Sequence, residues 1–182
     1  MLSPKKYMIT QEENLILQSY ITTSLLAELG NNNFFQSDYF DAMKFGQPTI
    51  KEILKMSGVD NQGCAIMSLY AMLVVPYELI RSKHQDEFTL MNEFLISKTI
   101  INATTYHLDP SVSDLMYHLR NAVAHCRVSF VDGKFIVFED FNQSRKKQFS
   151  GKLSLIDLSA FIHKLQLVIQ MKVVKDIQSG SS

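Results

Sequence analysis

The sequence predicts an all-α fold: a helical bundle with one small β-hairpin inserted before the C-terminal helix. Three observations predict it. Apolar residues recur at intervals of three and four over most of the chain, the spacing that lines one face of a helix. The interval drops to two only around Asp132-Gly133, and that dipeptide between alternating apolar residues marks a hairpin turn. A fresh helix start then stands at Ser154, with Asp157 three residues on.

The elements follow in order. Thr10 and Glu13 form a capping box at the start of helix one, whose inward set reads Leu15, Ile16, Ile21, Leu25, Leu26 and Leu29; Gly30 and the Asn31–Asn33 run stop it. Residues 31–49 are aromatic and irregular, a partly helical loop that packs its rings on the bundle. Thr49 caps a short helix, Ile50 to Met56. A long central helix runs from about Asn61 to Lys83, with a kink near Met72 because Pro76 lies inside it. Gln85 to Ile101 reads as another helix. Asp109-Pro110 starts the next, which continues to about His125. The hairpin spans roughly Arg127 to Asp140, a basic loop covers Asn142 to Lys147, and Gln148 to Leu153 offers a short third strand. The last helix buries Leu158, Phe161, Ile162, Leu165 and Ile169.

Length and composition bound the rest. A chain of 182 residues with 46% hydrophobic content is enough for one domain with a sizeable core. We expect that domain over 1–178, with 127–153 as the hairpin and loop insertion and 179–182 as a disordered tail. Lys+Arg and Asp+Glu are both 18. This neutrality disfavours coating nucleic acid by bulk charge but leaves room for a local phosphate site, and it permits self-association. Cys64 and Cys126, far apart and without ligand spacing, read as reduced core thiols of a cytoplasmic protein. Lys5 and Lys6 are followed by no apolar run, so no signal peptide is expected. The apolar stretch near Ala71 to Pro76 is interrupted by Tyr70, Glu78 and Arg81, and no membrane partner is expected.

The candidate chemistry sits in Leu119-Arg120-Asn121-Ala122-Val123-Ala124-His125. Arginine offers a planar fork of donors to a phosphate, and histidine titrates near neutrality. In an ideal helix these two side chains point about 140° apart, with a rise of about 7.5 Å between them. They converge only if the helix ends or widens near Ala124, or if two copies face each other across a two-fold axis. Converged, they suit cleavage of an RNA backbone. Arg120 would stabilise the phosphate oxygens, His125 would move protons, and Asn121 would orient His125 or bond a ribose or phosphate oxygen. The competing reading is an ordinary arginine and histidine near a helix end. His118 and Tyr117 could line the same cleft, and Arg127, Arg145, Lys146 and Lys147, with Lys134 and Lys152, could steer RNA; each is also accounted for by packing or a solvated loop. No cluster of carboxylates and histidines has ligand spacing, so no metal or other cofactor is expected.

The segment Arg120 to His125 resembles the signature of the HEPN superfamily, an Arg, commonly a polar residue after it, and a His after four to six intervening residues. With the hairpin and Phe149 to Asp157 beyond it, residues 112–165 resemble a plasmid- and defence-associated bacterial HEPN family. The resemblance implies a metal-independent endoribonuclease acting as a homodimer, often a toxin or antiphage effector, with Arg120 and His125 catalytic and Asn121 in the polar position. It also implies an antitoxin or defence-system partner. Toxins whose partner is a nucleotidyltransferase usually carry a Tyr two residues after the His; here that position is Arg127, a departure that counts against such a partner. Two alternatives stand beside the enzyme: an inactive HEPN module that binds nucleotide, RNA or a partner protein, and a plain helical interaction protein.

Overall fold

The computed structural model describes residues 10–59, 61–106, 114–144, 146 and 148–179. Helices make up most of it, and a four-stranded antiparallel sheet covers one side of the helical core.

Helix α1 (Gln11–Asn31) starts as its capping box dictates: the Thr10 hydroxyl accepts from the Glu13 amide at 3.2 Å, and the Glu13 carboxylate accepts from the Thr10 amide at 2.8 Å. Its inward face differs from the expected one. Glu13, Ile16 and Thr23 are buried, whereas Leu15, Ile21 and Leu25 are half exposed. Polar residues can hold the inward stripe because each is satisfied locally, Glu13 by the cap and Thr23 by the Ser19 carbonyl at 2.9 Å. A turn at Phe34–Gln36 and α2 (Asp38–Ala42) then stack Phe34, Phe35, Phe40 and Phe45 edge to face. Helix α3 spans Pro48–Ser57, with Pro rather than Thr49 at its start and Gly58 at its end.

The central helix runs as α4 (Gln62–Leu69), a π-turn at Tyr70–Val74 and α5 (Val75–Ile80). The expected irregularity at Met72 therefore takes the form of a widened turn. Pro76 has no amide to give to Met72, and the preceding turn opens so that the Val75 amide bonds the Tyr70 carbonyl instead. By length and composition alone, Gln62–Ile80 is apolar enough to cross a bilayer, contrary to the sequence expectation. Here Leu69, Leu73, Tyr77 and Ile80 are buried within the core.

The sheet is larger than the expected hairpin. Helix α6 stops at Lys98 (Gln85–Lys98), and Ile100–Thr104 leaves it as strand β1. Thr99, Ile100 and Ile101 are β-branched and favour extended backbone, and the edge of the later strand β4 (Gln148–Ser154) is there to pair with them. The order is β1-β4-β3-β2, with β2 at Val128–Val131 and β3 at Phe135–Phe141. The turn between β2 and β3 places Asp132 and Gly133 at φ 55° and 61°, and the Lys134 amide bonds the Val131 carbonyl at 3.1 Å. The Asp109-Pro110 start falls outside the described residues; the described helix α7 (Leu115–Ala124) is capped by the Asp114 carboxylate on the Tyr117 amide at 2.8 Å. After β4, Ser154 caps α8 (Leu155–Leu165), and a second π-turn at Gln166–Gln170, unforeseen in the sequence, joins it to α9 (Met171–Ser179). Ser179 thus ends a helix, and 180–182 lie outside the described residues.

Helix α7 is held between the sheet and the helices. Leu115, Leu119 and Ala122 belong to one core cluster with Ile136, Phe138, Phe149 and Leu153 of the sheet, and Leu158, Phe161 and Leu165 of α8 join the same cluster. Gly151 is needed for that fit. A Cβ there would lie 3.0 Å from Phe149 and Thr99 and 3.1 Å from Phe138. Gly151→Val is expected to destabilise the fold by about 1–3 kcal/mol through overpacking, read as a lower urea midpoint. A midpoint equal to wild type would mean that the sheet yields freely here.

Candidate functional site

The site residues are carried by α7 and by what surrounds it. Three successive positions leave the helix in three directions. Leu119 is fully buried, Arg120 runs across to α5, and Asn121 points into the sheet. The Arg120 guanidinium makes two polar contacts: Nη1 donates to Asn121 Oδ1 at 2.6 Å, and Nη2 forms an ion pair with Glu78. Its Nε is buried without a hydrogen-bond partner among the described residues. The guanidinium carbon also lies 5.9 Å from the centre of the Tyr77 ring, which Arg81 approaches at 4.5 Å. Tyr77 donates its hydroxyl to Asp114 Oδ2 at 2.9 Å, and Arg81 reaches the same oxygen at 2.6 Å. Burial, and then the Asp114 carboxylate, push the Tyr77 phenol well above its ordinary pKa, so it stays a donor. A cleft of about 750 Å³ opens beside this group, lined by Glu78, Arg81, Asn92 and Asp114 among others.

Behind Arg120 lies a buried polar chain. Asn121 donates from Nδ2 to Asp140 Oδ2 at 3.1 Å, and His118 Nδ1 sits 2.8 Å from that same oxygen. A carboxylate only accepts, so this contact is a hydrogen bond when Nδ1 carries the proton. The imidazole stacks on Phe149 (4.5 Å between centres, 2° between planes) and meets Tyr106 at 4.6 Å. His118, Asn121 and Asp140 are all buried.

His125 is elsewhere. It caps the C-terminal end of α7, just past Ala124, and is exposed, with its amide on the Asn121 carbonyl at 3.0 Å. Among the described residues its ring has no hydrogen-bond or ion-pair partner. The helix does not widen to bring it toward Arg120. It closes in a Schellman motif: the Cys126 amide bonds the Val123 carbonyl at 3.1 Å, and the Arg127 amide bonds Ala122 at 2.7 Å. Cys126 takes the left-handed position with φ 53°, where glycine is usual. Removing its Cβ relieves about 1–2 kcal/mol of backbone strain, against about 0.5–1 kcal/mol of added chain entropy. Cys126→Gly is therefore expected to raise the melting temperature slightly and Cys126→Val to lower it; the reverse order would mean that the turn is unstrained. Neither cysteine belongs to the core, contrary to the expectation: Cys64 is half-buried and Cys126 exposed.

The remaining candidates are dispersed. Tyr117 is partly exposed beside His118. Arg127 is turned back onto the fold, donating to the Phe141 carbonyl at 2.8 Å and lying 3.9 Å over the Phe141 ring. Lys134 and Lys146 are exposed, and Lys152 lies 5.0 Å over Phe135. Arg145 and Lys147 lie outside the described residues. Glu78, Tyr77 and Asp140 were missed by the sequence reading. Asp140 was detectable: it falls on the same phase of β3 as Ile136 and Phe138, a carboxylate at a core position. Glu78 gave no such signal, because its partner is 42 residues away in sequence.

A family model described as HEPN pEK499 p136 matches residues 5–176. No curated protein and no solved structure matches the chain.

Proposed function

The chain belongs to the HEPN pEK499 p136 family, and from that premise we propose that it is a metal-independent endoribonuclease whose active site is shared by two copies. The carrying observation is the placement of Arg120 and His125 by one short, firmly packed helix: the first half-buried at its side, the second exposed as the residue that caps its end. One copy presents them apart, so a two-fold pair is the economical way to assemble a groove with both.

In that groove His125 takes the proton from a ribose 2′-hydroxyl. The 2′ oxygen bonds to the adjacent phosphorus, the bond from phosphorus to the 5′ oxygen breaks, and a second His125, from the other copy, returns a proton to that oxygen. The products are a 2′,3′-cyclic phosphate and a 5′-hydroxyl. Arg120 stabilises the charge on the non-bridging oxygens, and Asn121 holds the guanidinium in place. Toxin or antiphage activity in the cytoplasm, with an antitoxin or defence-system partner, is the setting that the family resemblance suggests. The test is incubation of the purified protein with RNA in EDTA, with end analysis of the fragments. Cyclic phosphate ends are expected; intact RNA at all protein concentrations would end the proposal.

One observation favours a second reading. A catalytic histidine is usually oriented by a third group, and His125 has none among the described residues. A module of this family that binds nucleotide, RNA or a partner protein without cutting it would show RNA retention in a filter assay with no fragments.

A further inference from the structure

We propose that Asp140, a strand residue outside the Arg-Asn-His segment, is the positioning residue of the site. It fixes the Asn121 amide, and through that amide the guanidinium of Arg120. The inference rests on the ribonuclease reading for its chemical purpose, but the positioning itself is a separate, measurable claim.

The geometry has one direction only. Asn121 Nδ2 meets the Asp140 carboxylate at 3.1 Å, and Asn121 Oδ1 meets Arg120 Nη1 at 2.6 Å. Turning the amide over would set oxygen against carboxylate and nitrogen against guanidinium, so the charges on either side lock its orientation. An amide is the side chain of this length with a donor for one neighbour and an acceptor for the other. That accounts for Asn rather than Asp at position 121, since a second carboxylate would face Asp140 directly. Asp140 is held in turn. His118 Nδ1 engages the same Oδ2 at 2.8 Å, and the imidazole stacks on Phe149 and packs against Tyr106. The chain therefore runs from a buried ring to a guanidinium paired with Glu78, a residue that lines the cleft.

Packing alone would not choose this arrangement. Asp140 follows Ile136 and Phe138 on the inward phase of β3, where an aliphatic side chain would avoid the cost of burying a charge. Replacing buried ionic groups with well-packed apolar ones is often neutral or stabilising. A carboxylate at this place is explained by a demand for orientation. Catalytic geometry has such a demand: a misplacement of about 1 Å can cost about 100-fold in rate.

Two measurements on the full-length protein test this. Nitrogen-15 NMR reads the Arg120 guanidinium, whose Nη–H groups should rotate slowly in wild type because Nη1 is held. In Asp140→Asn, and in Asp140→Leu if Asp140→Asn does not fold, that slow rotation should be lost while the circular dichroism spectrum is kept. In parallel, Asp140→Asn should lower kcat for RNA cleavage by about 10- to 100-fold with a smaller change in KM. If wild type cuts RNA and Asp140→Asn keeps both its rate and its guanidinium signature, the positioning role is overturned. If wild type does not cut RNA, the ribonuclease reading fails by itself, and the NMR signature alone then decides the positioning: lost in the variant, it stands; retained, it falls.

Discussion

Arg120→Ala is expected to abolish measurable RNA cleavage, lowering it by about 100- to 1,000-fold as for other lost charge-stabilising donors, and His125→Ala by about 100- to 10,000-fold through lost proton transfer. The two variants should differ in stability. Arg120 is bonded to Asn121 and Glu78 and lies near the Tyr77 ring, so its loss also removes local packing. His125 is exposed at the helix end, and its loss should leave the unfolding free energy within about 0.5 kcal/mol of wild type, as for surface substitutions. Arg120→Lys should rescue little, since a point charge cannot reach Asn121 and a phosphate in the way a planar fork does. Cleavage by His125→Ala at the wild-type rate would remove His125 from the mechanism.

The same reading predicts a concentration dependence. If the site is shared, specific activity should fall on dilution as the dimer dissociates, and light scattering should show two copies at concentrations where cleavage is full. A protein that is monomeric and fully active would keep the enzyme but dismiss the shared groove. Glu78 adds a further expectation. Its carboxylate is paired with Nη2 of the Arg120 guanidinium, the group that a phosphate would otherwise approach. Glu78→Gln should tighten RNA binding, measured as a lower dissociation constant by anisotropy; weaker binding would show that Glu78 holds Arg120 in its useful pose.

Helix identities were legible in the sequence because local chemistry sets them. Thr10 with Glu13, Gly58, and Ser154 with Asp157 each act within a turn of their own position. The Asp132-Gly133 turn is local in the same way. Strand β1 was not legible: Ile100 and Ile101 continue an apolar helical pattern, their β-branched preference for extended backbone is weak by itself, and the distant edge of β4 is what pairs them as a strand. The site divided along the same line. Arg120, Asn121 and His125 form a contiguous pattern, while Glu78 and Asp140 come from other elements and meet it only after folding. The inward face of α1 was misjudged for a different reason, because Glu13 and Thr23 satisfy their own polar groups and so can occupy positions that hydrophobicity would have given to leucine.

Asp140→Ala should be among the most destabilising single substitutions in the chain. Wild type presents one carboxylate oxygen to two buried partners, His118 and Asn121. Without it both are left as buried donors with no acceptor, at about 1–3 kcal/mol each, and removal of one partner of a buried ionic set typically costs about 3–5 kcal/mol. For a domain of this size that is a large share of a total stability of about 5–15 kcal/mol. The urea midpoint should fall steeply with an unchanged slope, because the native state is weakened and the unfolded chain is not altered. His118→Leu should cost less than Asp140→Ala, since it keeps an apolar body against Phe149 and leaves Asn121 its acceptor. The double variant should then lose less than the sum, with a coupling of about 0.5–3 kcal/mol, as found for residues in one hydrogen-bonded network. Additive losses would separate His118 from Asp140 energetically. An Asp140→Ala penalty below about 1 kcal/mol, the level of an average substitution, would mean that water reaches this oxygen's place and that the buried chain behind Arg120 is softer than its distances imply.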